Sequence, residues 1–399
     1  MENIKAEKTM GVKEVIEEAS RCLLCLDAPC SKMCPAGTDP AKFIRSVRFL
    51  NFKGAAETIR ENNPLGSLCA RLCPVEKYCE LGCLRSGIDH PIDIASIQTY
   101  VTDFERENNM QILAKGVPNG KKVAIVGSGP SALSAAAELA REGYSVTVYE
   151  KQSKIGGYLR YGIPEYRLPT NVLDYEIERI KNLGVQFVLN KNIGIDIPFS
   201  EIEKSFDAVI VCLGLGKGKM IPPFIGKENV ITAVDLLSKL KEGEIIELPD
   251  TVLVVGGGDV AMDVITSLKN KGVKKVVDVV YEEMNEFKAS NKEKEIAFPL
   301  VDSLICGYIP TNMTNNEVEF KHRFIDSTLK IKADLIVLAV GQEVESASLP
   351  FVFKKGEAER YSEKVFFAGD IAHDDKSVVA AVKTGKEAAE NVAKILGGK

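Results

Sequence analysis

Eight of the ten cysteines of this 399-residue chain lie before residue 84, in two groups. The first, CLLCLDAPCSKMCP, carries Cys22, Cys25, Cys30 and Cys34; the second, CARLCPVEKYCELGC, carries Cys69, Cys73, Cys79 and Cys83. Thiolates at such spacing, with a proline after the fourth, hold [4Fe-4S] clusters. Zinc is the rival chemistry. Structural zinc draws on paired C-x2-C or mixed Cys/His groups, whereas only one C-x2-C occurs here and no histidine lies between Cys22 and Cys83. The donor set therefore favours iron and sulfide. Spacing alone groups the ligands as two successive sets of four.

A second kind of chemistry is written in glycine. In KVAIVGSGPSALSAAAELAREGYSVTVYEK, an apolar run from Lys122 meets Gly127, Ser128, Gly129, Pro130, Ser131 and Ala132, then an Ala/Leu helix, then a second apolar run ending on Glu150. This is a βαβ unit with a dinucleotide fingerprint. Gly127 allows the tight turn, Gly129 admits a pyrophosphate to the backbone, small Ala132 lets helix and strand pack closely, and the helix N-terminus faces the phosphate charge. Glu150 stands where the ribose hydroxyls would be accepted. The pattern returns at TVLVVGGGDVAMDVITSLKNKG with Gly256, Gly257, Gly258, Asp259 and Ala261, and the following strand ends at Glu282 and Glu283. Two such units imply two dinucleotides, a flavin and a nicotinamide. A carboxylate at Glu282 accepts the free ribose of NAD and repels the extra phosphate of NADP; the plainer reading is a pair of solvated loop charges.

Helices and strands must position these groups. GVKEVIEEASR reads as a helix leading into the first cysteines, and Lys42 to Glu61 has helical periodicity between the two groups. Asn108 to Lys121 has the Gly, Pro and Asn content of a linker. The glycine-rich loop IGGYLRYGIPEYRLP follows Glu150, and Leu173 to Leu183 is amphipathic. Apolar strands recur in FDAVIVCLGLG, ADLIVLAVGQ (ending on Gly341) and KVFFAGDI (with Gly369 and Asp370), before a helix from Val378 to Leu396. A hydrophobic fraction of 45% with 27% charged residues describes a soluble globular protein of two or three domains. Net charge near -5 gives no general attraction to nucleic acid or anionic membrane. No apolar run approaches the roughly 20 residues of a membrane helix, and MENIKAEKTM lacks the apolar core of a signal peptide, so a cytoplasmic location is expected.

The two cysteine groups, GSGPSAL, YGIPEYRLP, GGGDVAMD and VFFAGD, in this order over nearly the whole chain, resemble the family of the glutamate synthase small subunit and the N-terminal half of dihydropyrimidine dehydrogenase. EASRCLLCLDAPCSKMCP, NFKGAAETIRENN and GGGDVAMDV followed by EFKAS resemble most the flavin subunits of bacterial NAD-dependent dihydropyrimidine dehydrogenases. The resemblance implies an α/β chain with an N-terminal α-helical iron-sulfur domain (residues 1–116) and two Rossmann-like domains. The FAD domain, 117–228 and 339–399, has the NAD domain, 229–338, inserted in it. It implies two interleaved [4Fe-4S] clusters, one on Cys22, Cys25, Cys30 and Cys83, the other on Cys34, Cys73, Cys79 and Gln98, with Cys69 a spare thiol. It places FAD on Gly127 to Ala132, Glu150, Lys151, Gly157, Tyr158, Arg167, Gly369 and Asp370. GPSAL replaces the family's commoner GPAGL, and Tyr158 stands where a smaller aliphatic is usual.

NADH gives up a hydride while a cluster accepts single electrons, and a flavin mediates between them. The expected reaction is hydride transfer from nicotinamide stacked over the flavin, with electrons leaving through the N-terminal clusters and no side-chain acid or base required. An FMN-bearing barrel and further clusters, which pyrimidine reduction needs, find no room in these modules; a partner subunit is expected to supply them. A disulfide reductase would need a cysteine pair against the flavin, and outside the N-terminal block there are only Cys212 and Cys306, far apart in sequence. The remaining alternatives are a glutamate synthase-type electron-input protein serving another acceptor, and a non-catalytic cluster-bearing redox sensor.

Overall fold

The computed structural model describes residues 9–345, 349–354, 357–358 and 361–397. They fall into two compact units, one of Tyr161–Tyr166 and Leu215–Glu345, the other of the described residues before and after them together with Arg167–Gly214. Among the described residues no helix is long and apolar enough to cross a membrane.

The larger unit begins with helices Val12–Ser20, Pro40–Arg48, Phe52–Asn62, Gly66–Leu72 and Ile94–Glu107. The periodic stretch from Lys42 to Glu61 is thus two helices. Leu50 adopts a left-handed φ of 59° and breaks the chain, and Asn51 restarts it by accepting the Gly54 N–H at 2.9 Å. Asp39 and Asp93 cap their helices the same way, at 3.1 Å to Lys42 N and 2.9 Å to Ser96 N. Phe43, Ile44, Val47, Ile59, Ile97 and Val101 meet in one apolar cluster that also includes Cys79 and Cys83. The linker-like segment after Asn108 is irregular but anchored, with Gly116 N bonded to Ala140 O at 3.0 Å and Asn119 N to Gly143 O at 3.0 Å.

Behind these helices stands a five-stranded parallel sheet in the order Val365–Phe367, Ala208–Val211, Lys122–Val126, Ser145–Tyr149, Gln186–Val188. Ala208–Val211 and, after Lys122, Val123–Val126 are apolar and buried because both faces of the sheet are covered. The crossover helix Pro130–Arg141 buries Ala132, Ala135, Ala136, Ala137 and Ala140. Small residues let it lie close to the helix Val378–Leu396: a Cβ on Gly385 would stand 2.3 Å from the Ser131 carbonyl oxygen.

The smaller unit repeats the plan with strands in the order Val230–Thr232, Leu335–Leu338, Thr251–Val255, Lys275–Val280, Ser303–Cys306, all parallel. Period-two alternation divides its faces. Val252, Val254 and Val276 pack on helices through Ala261, Ile265 and Leu268. Leu253, Val255, Val277 and Val279 pack on Met313, Val318 and Phe320 of an antiparallel three-stranded sheet, Tyr308–Thr314, Glu317–His322, Thr328–Lys332.

Candidate functional site

Cys22, Cys25, Cys30 and Cys83 line one cavity with Ala28, Ala41, Ile44 and Ile92. Sequence neighbours supply Cys22, Cys25 and Cys30; Cys83 arrives from the second group, so the fold mixes what spacing alone would have separated. Burial raises the Cys22 thiol and pushes Cys30 up to about 11. The backbone amides of Leu24 and Ser31 oppose that rise at Cys22 and Cys30, and Ile92 N–H reaches the Cys83 sulfur at 3.4 Å. Such donors stabilise sulfur that carries negative charge and tune a cluster's potential. Leu24 holds a left-handed φ of 53°, a costly conformation for a branched side chain, kept at the turn between Cys22 and Cys25.

Cys34, Cys69, Cys73 and Cys79 lie near one another. Burial drives Cys73 and Cys79 far above the ordinary thiol range, and Cys34 acts electrostatically on both. Cys69 is buried beside them, pushed up to about 12. Gln98 is 8% exposed and donates Nε2 to the Gly66 carbonyl at 2.7 Å, leaving its Oε1 as the acceptor end. All the described cysteines are free. Among the described residues no three His, Cys, Asp or Glu side chains converge on the position of a single ion. Thiols that burial keeps protonated need a cationic centre to become thiolates. A donor set rich in cysteine, with no histidine between Cys22 and Cys83, fits iron-sulfur clusters.

The N-terminal helices Phe52–Asn62 and Ile94–Glu107 are joined to the first nucleotide fold by a largely buried ion network. Arg60 donates Nε to Glu105 Oε2 at 2.7 Å and clasps Glu176 with two bonds of 3.0 and 2.7 Å. Arg179 completes it, 2.9 Å from Glu176 and 3.3 Å from Glu105. Burial opposes the Arg60 charge, yet Glu176 and Glu105 keep its pKa above the usual arginine value. Bidentate geometry of this kind can offset the desolvation cost of burying the charges. Two further ties join the same elements: Lys386 donates to the carbonyls of Ala36 at 2.8 Å and Asn62 at 2.5 Å, and the Tyr78 hydroxyl, between Cys73 and Cys79, donates to Asp375.

At the first fingerprint Gly127 has φ 100°, and a Cβ there would stand 2.3 Å from the Cys212 carbonyl oxygen. Gly129 caps the helix Pro130–Arg141, with Pro130 opening it and Ser131 in its first turn, and open space lies where its Cβ would point. That is a cradle for a phosphate at a helix N-terminus. Gly157 crosses over it, its virtual Cβ 2.8 Å from Gly129 Cα, and Tyr158 follows. Glu150 is 5% exposed; it accepts from Ser128 Oγ at 2.5 Å and from Gln152 N at 2.8 Å, and Lys151 lies exposed beside it. Gly369 N bonds Thr384 Oγ1 at 2.9 Å, and the turn packs on Ser131, which brings Asp370 to the same helix N-terminus. Burial raises the Asp370 carboxyl. Arg167 begins the segment that leads into the helix Thr170–Asn182.

The second fingerprint has the same backbone. A Cβ on Gly256 would stand 2.3 Å from the Ala339 carbonyl oxygen, and Gly258 caps the helix Asp259–Asn270 facing open space. Gly257 packs on Val280 and Glu282. Asp259 turns its carboxylate to the Ser290 N–H at 2.6 Å, and Glu282 pairs with Lys288 at 2.8 Å. Gly341 follows the neighbouring strand with φ 103°.

Arg60, Glu105, Glu176, Arg179, Tyr78 and Asp375 escape a reading of the sequence. Charged residues on helices read as solvated faces, and only the Glu176 to Arg179 spacing hints at a pair.

A family described as dihydropyrimidine dehydrogenase domain II, 4Fe-4S cluster, matches residues 2–110, and the pyridine nucleotide-disulphide oxidoreductase family matches 121–385. The chain is 48% identical over 390 residues to the NAD-dependent dihydropyrimidine dehydrogenase subunit PreT of Escherichia coli K12, covering 96% of this chain and 94% of that one. It is 47% identical over 384 residues to PreT of Salmonella typhimurium LT2, covering 94% and 93%. In fold it is similar to Mycobacterium tuberculosis FprA in complex with NADPH, with 18% identity, TM-score 0.59 and 69% and 84% of the two chains covered. It is also similar to T. acidophilum thioredoxin reductase, with 18% identity, TM-score 0.53 and 70% and 100% covered. Cysteines gathered in a helical 4Fe-4S domain, followed by two dinucleotide-type sheets and matched nearly end to end by these relatives, place the chain in the family of PreT oxidoreductase subunits of NAD-dependent dihydropyrimidine dehydrogenase.

Proposed function

We propose that this chain oxidises NADH and passes the electrons through FAD and two [4Fe-4S] clusters to a separate FMN- and iron-sulfur-bearing subunit, which interconverts uracil or thymine and their 5,6-dihydro forms. Residues 1–116 hold the clusters, 117–228 and 339–399 the FAD, and 229–338 the NADH. When bound, the flavin takes a hydride and releases electrons singly, and the clusters carry them.

The chain's own residues bind and orient. Gly127 to Ala132 and the helix behind them receive the pyrophosphate, Glu150 and Lys151 the ribose, and Gly157, Tyr158, Arg167, Gly369 and Asp370 surround the remainder. Gly256 to Asp259, Glu282 and Gly341 serve the nicotinamide dinucleotide. Cys22, Cys25, Cys30 and Cys83 hold one cluster; Cys34, Cys73, Cys79 and Gln98 hold the other. The observation that carries the reading is that both cysteine constellations and the flavin-type cradle belong to one compact unit, with Tyr78 hydrogen-bonded to the segment just beyond Asp370.

Among the described residues the sheets are two dinucleotide-type parallel sheets, a three-stranded antiparallel sheet and two two-stranded ladders, with no barrel for pyrimidine chemistry. The isolated chain should therefore reduce dyes with NADH and leave uracil untouched. Mixed with its FMN-bearing partner it should reduce uracil with NADH. A complex inert to pyrimidines that instead forms glutamate from glutamine would transfer the chain to the glutamate synthase-type alternative.

A further inference from the structure

The reading of Leu215–Glu345 as a dinucleotide site carries a further consequence at its adenosine corner, and the inference rests on that reading. Beyond the strand Lys275–Val280 come Tyr281, Glu282 and Glu283, then a turn of 3-10 helix, Met284–Glu286. Each carboxylate there has a basic partner. Lys288 stands 2.8 Å from Glu282, His322 stands 3.4 Å from Glu283, and Arg323 stands 2.6 Å from Glu286.

Arg323 is the most firmly placed of these partners. Its guanidinium carbon lies 4.1 Å from the Tyr281 ring centroid and 4.6 Å from that of Phe324, and it donates NH1 to the Tyr281 carbonyl at 3.1 Å. Its backbone N–H bonds Gly307 O at 2.8 Å, and Gly307 N–H bonds Glu282 O at 3.0 Å. The cation is thus fixed beside the residue that precedes Glu282. The acid at this strand end is the ribose acceptor of an NAD site, whereas an arginine nearby accommodates a 2′-phosphate. This corner holds both groups, and the arginine is engaged by Glu286.

We infer that Glu286 is a specificity-determining residue: by holding Arg323 in an ion pair it withholds that guanidinium from the adenosine ribose, so the site selects a free 2′-hydroxyl over a 2′-phosphate. Glu286 excludes the phosphate in two ways, adding like charge and engaging NH1 of the guanidinium that would bind it. Removing its charge leaves Arg323 stacked on Tyr281 and Phe324 with donors to offer. Glu282 still acts on the ribose itself, so the two carboxylates contribute separately.

Adenosine 2′,5′-bisphosphate and 5′-AMP, titrated calorimetrically into the cofactor-loaded full chain, isolate this corner from the redox chemistry. In wild type 5′-AMP should bind more tightly than the bisphosphate. In Glu286→Gln the affinity ratio of bisphosphate to 5′-AMP should rise by about 5- to 20-fold, the scale of one charge-assisted pair. Glu286→Gln/Arg323→Gln should return the ratio to the wild-type value. A ratio unmoved by Glu286→Gln, or a gain that survives in the double variant, overturns the inference alone. Failure of both probes to bind in competition with NADH overturns the dinucleotide reading of the unit and the inference with it.

Discussion

At the end of the second strand of each βαβ unit a glutamate stands over a glycine fingerprint, and the two are held differently. Glu150 is gripped from inside the protein by the Ser128 hydroxyl at 2.5 Å and the Gln152 N–H at 2.8 Å. Glu282 is paired at 2.8 Å with Lys288, whose side chain is 74% exposed. Neutral donors from the glycine turn and from the loop after Glu150 fix that carboxylate in one geometry. A solvent-exposed lysine gives a weak, screened partner that a ligand can displace. The proposed division, a resident flavin in one unit and an exchanging nicotinamide in the other, makes this difference testable.

Steric substitution gives the largest separation. Gly127→Val and Gly256→Val each drive a side chain into a carbonyl oxygen that already stands 2.3 Å from the virtual Cβ. The first should yield protein without flavin absorbance. The second should keep its flavin and lose NADH-dependent dye reduction by about 100-fold or more, near 2.7 kcal/mol at 1.36 per decade. Flavin lost equally from both variants would erase the distinction.

The frame of the larger unit is tested next. Arg60→Met leaves Arg179 as the one described basic partner of the buried Glu105 and Glu176, a loss of about 3 kcal/mol, and should lower the unfolding midpoint measured by circular dichroism. An unchanged midpoint would mean that the network adds nothing to the union of cysteine helices and nucleotide fold.

Much of this was legible in the sequence. Glycine turns, Ala/Leu crossovers and apolar strands announce βαβ units because local geometry demands those residue types, and the helix Val378–Leu396 falls where its pattern places it. Less legible was the partition of cysteines. Cys83 joins Cys22, Cys25 and Cys30 around one cavity, a long-range encounter that spacing does not encode. Arg60 illustrates the harder limit: on the helix Phe52–Asn62 it reads as a solvated charge, and only Glu105 and Glu176, 45 and 116 residues away, reveal it as core.

A smaller effect sharpens the contrast at the acids. Glu282→Gln should cut the preference for NADH over NADPH by about tenfold in kcat/KM with flavin content intact, whereas Glu150→Gln should lower flavin retention on gel filtration and leave that preference unchanged. A shift of nicotinamide preference in Glu150→Gln would reverse the assignment of the two units.

The smallest effect belongs to the smaller unit's core. Asp278 is fully buried with neither carboxylate oxygen hydrogen-bonded, and burial raises its pKa well above the usual value. Because the folded pKa exceeds the unfolded one, this group's contribution to stability is complete below about pH 4 and is lost as pH rises through the folded value. Asp278→Val should therefore raise the unfolding midpoint more at about pH 8 than at about pH 5. Equal effects at both would mean the carboxyl does not titrate.

Anaerobic titration of the purified, cofactor-loaded chain with NADH, followed by visible absorbance and electron paramagnetic resonance, tests the central claim most directly. The account predicts about eight irons per chain, bleaching of the flavin, and cluster signals that grow as NADH is added, with NADPH far less effective. Zinc in place of iron, clusters that stay silent while the flavin bleaches, or equal reduction by NADPH would contradict it.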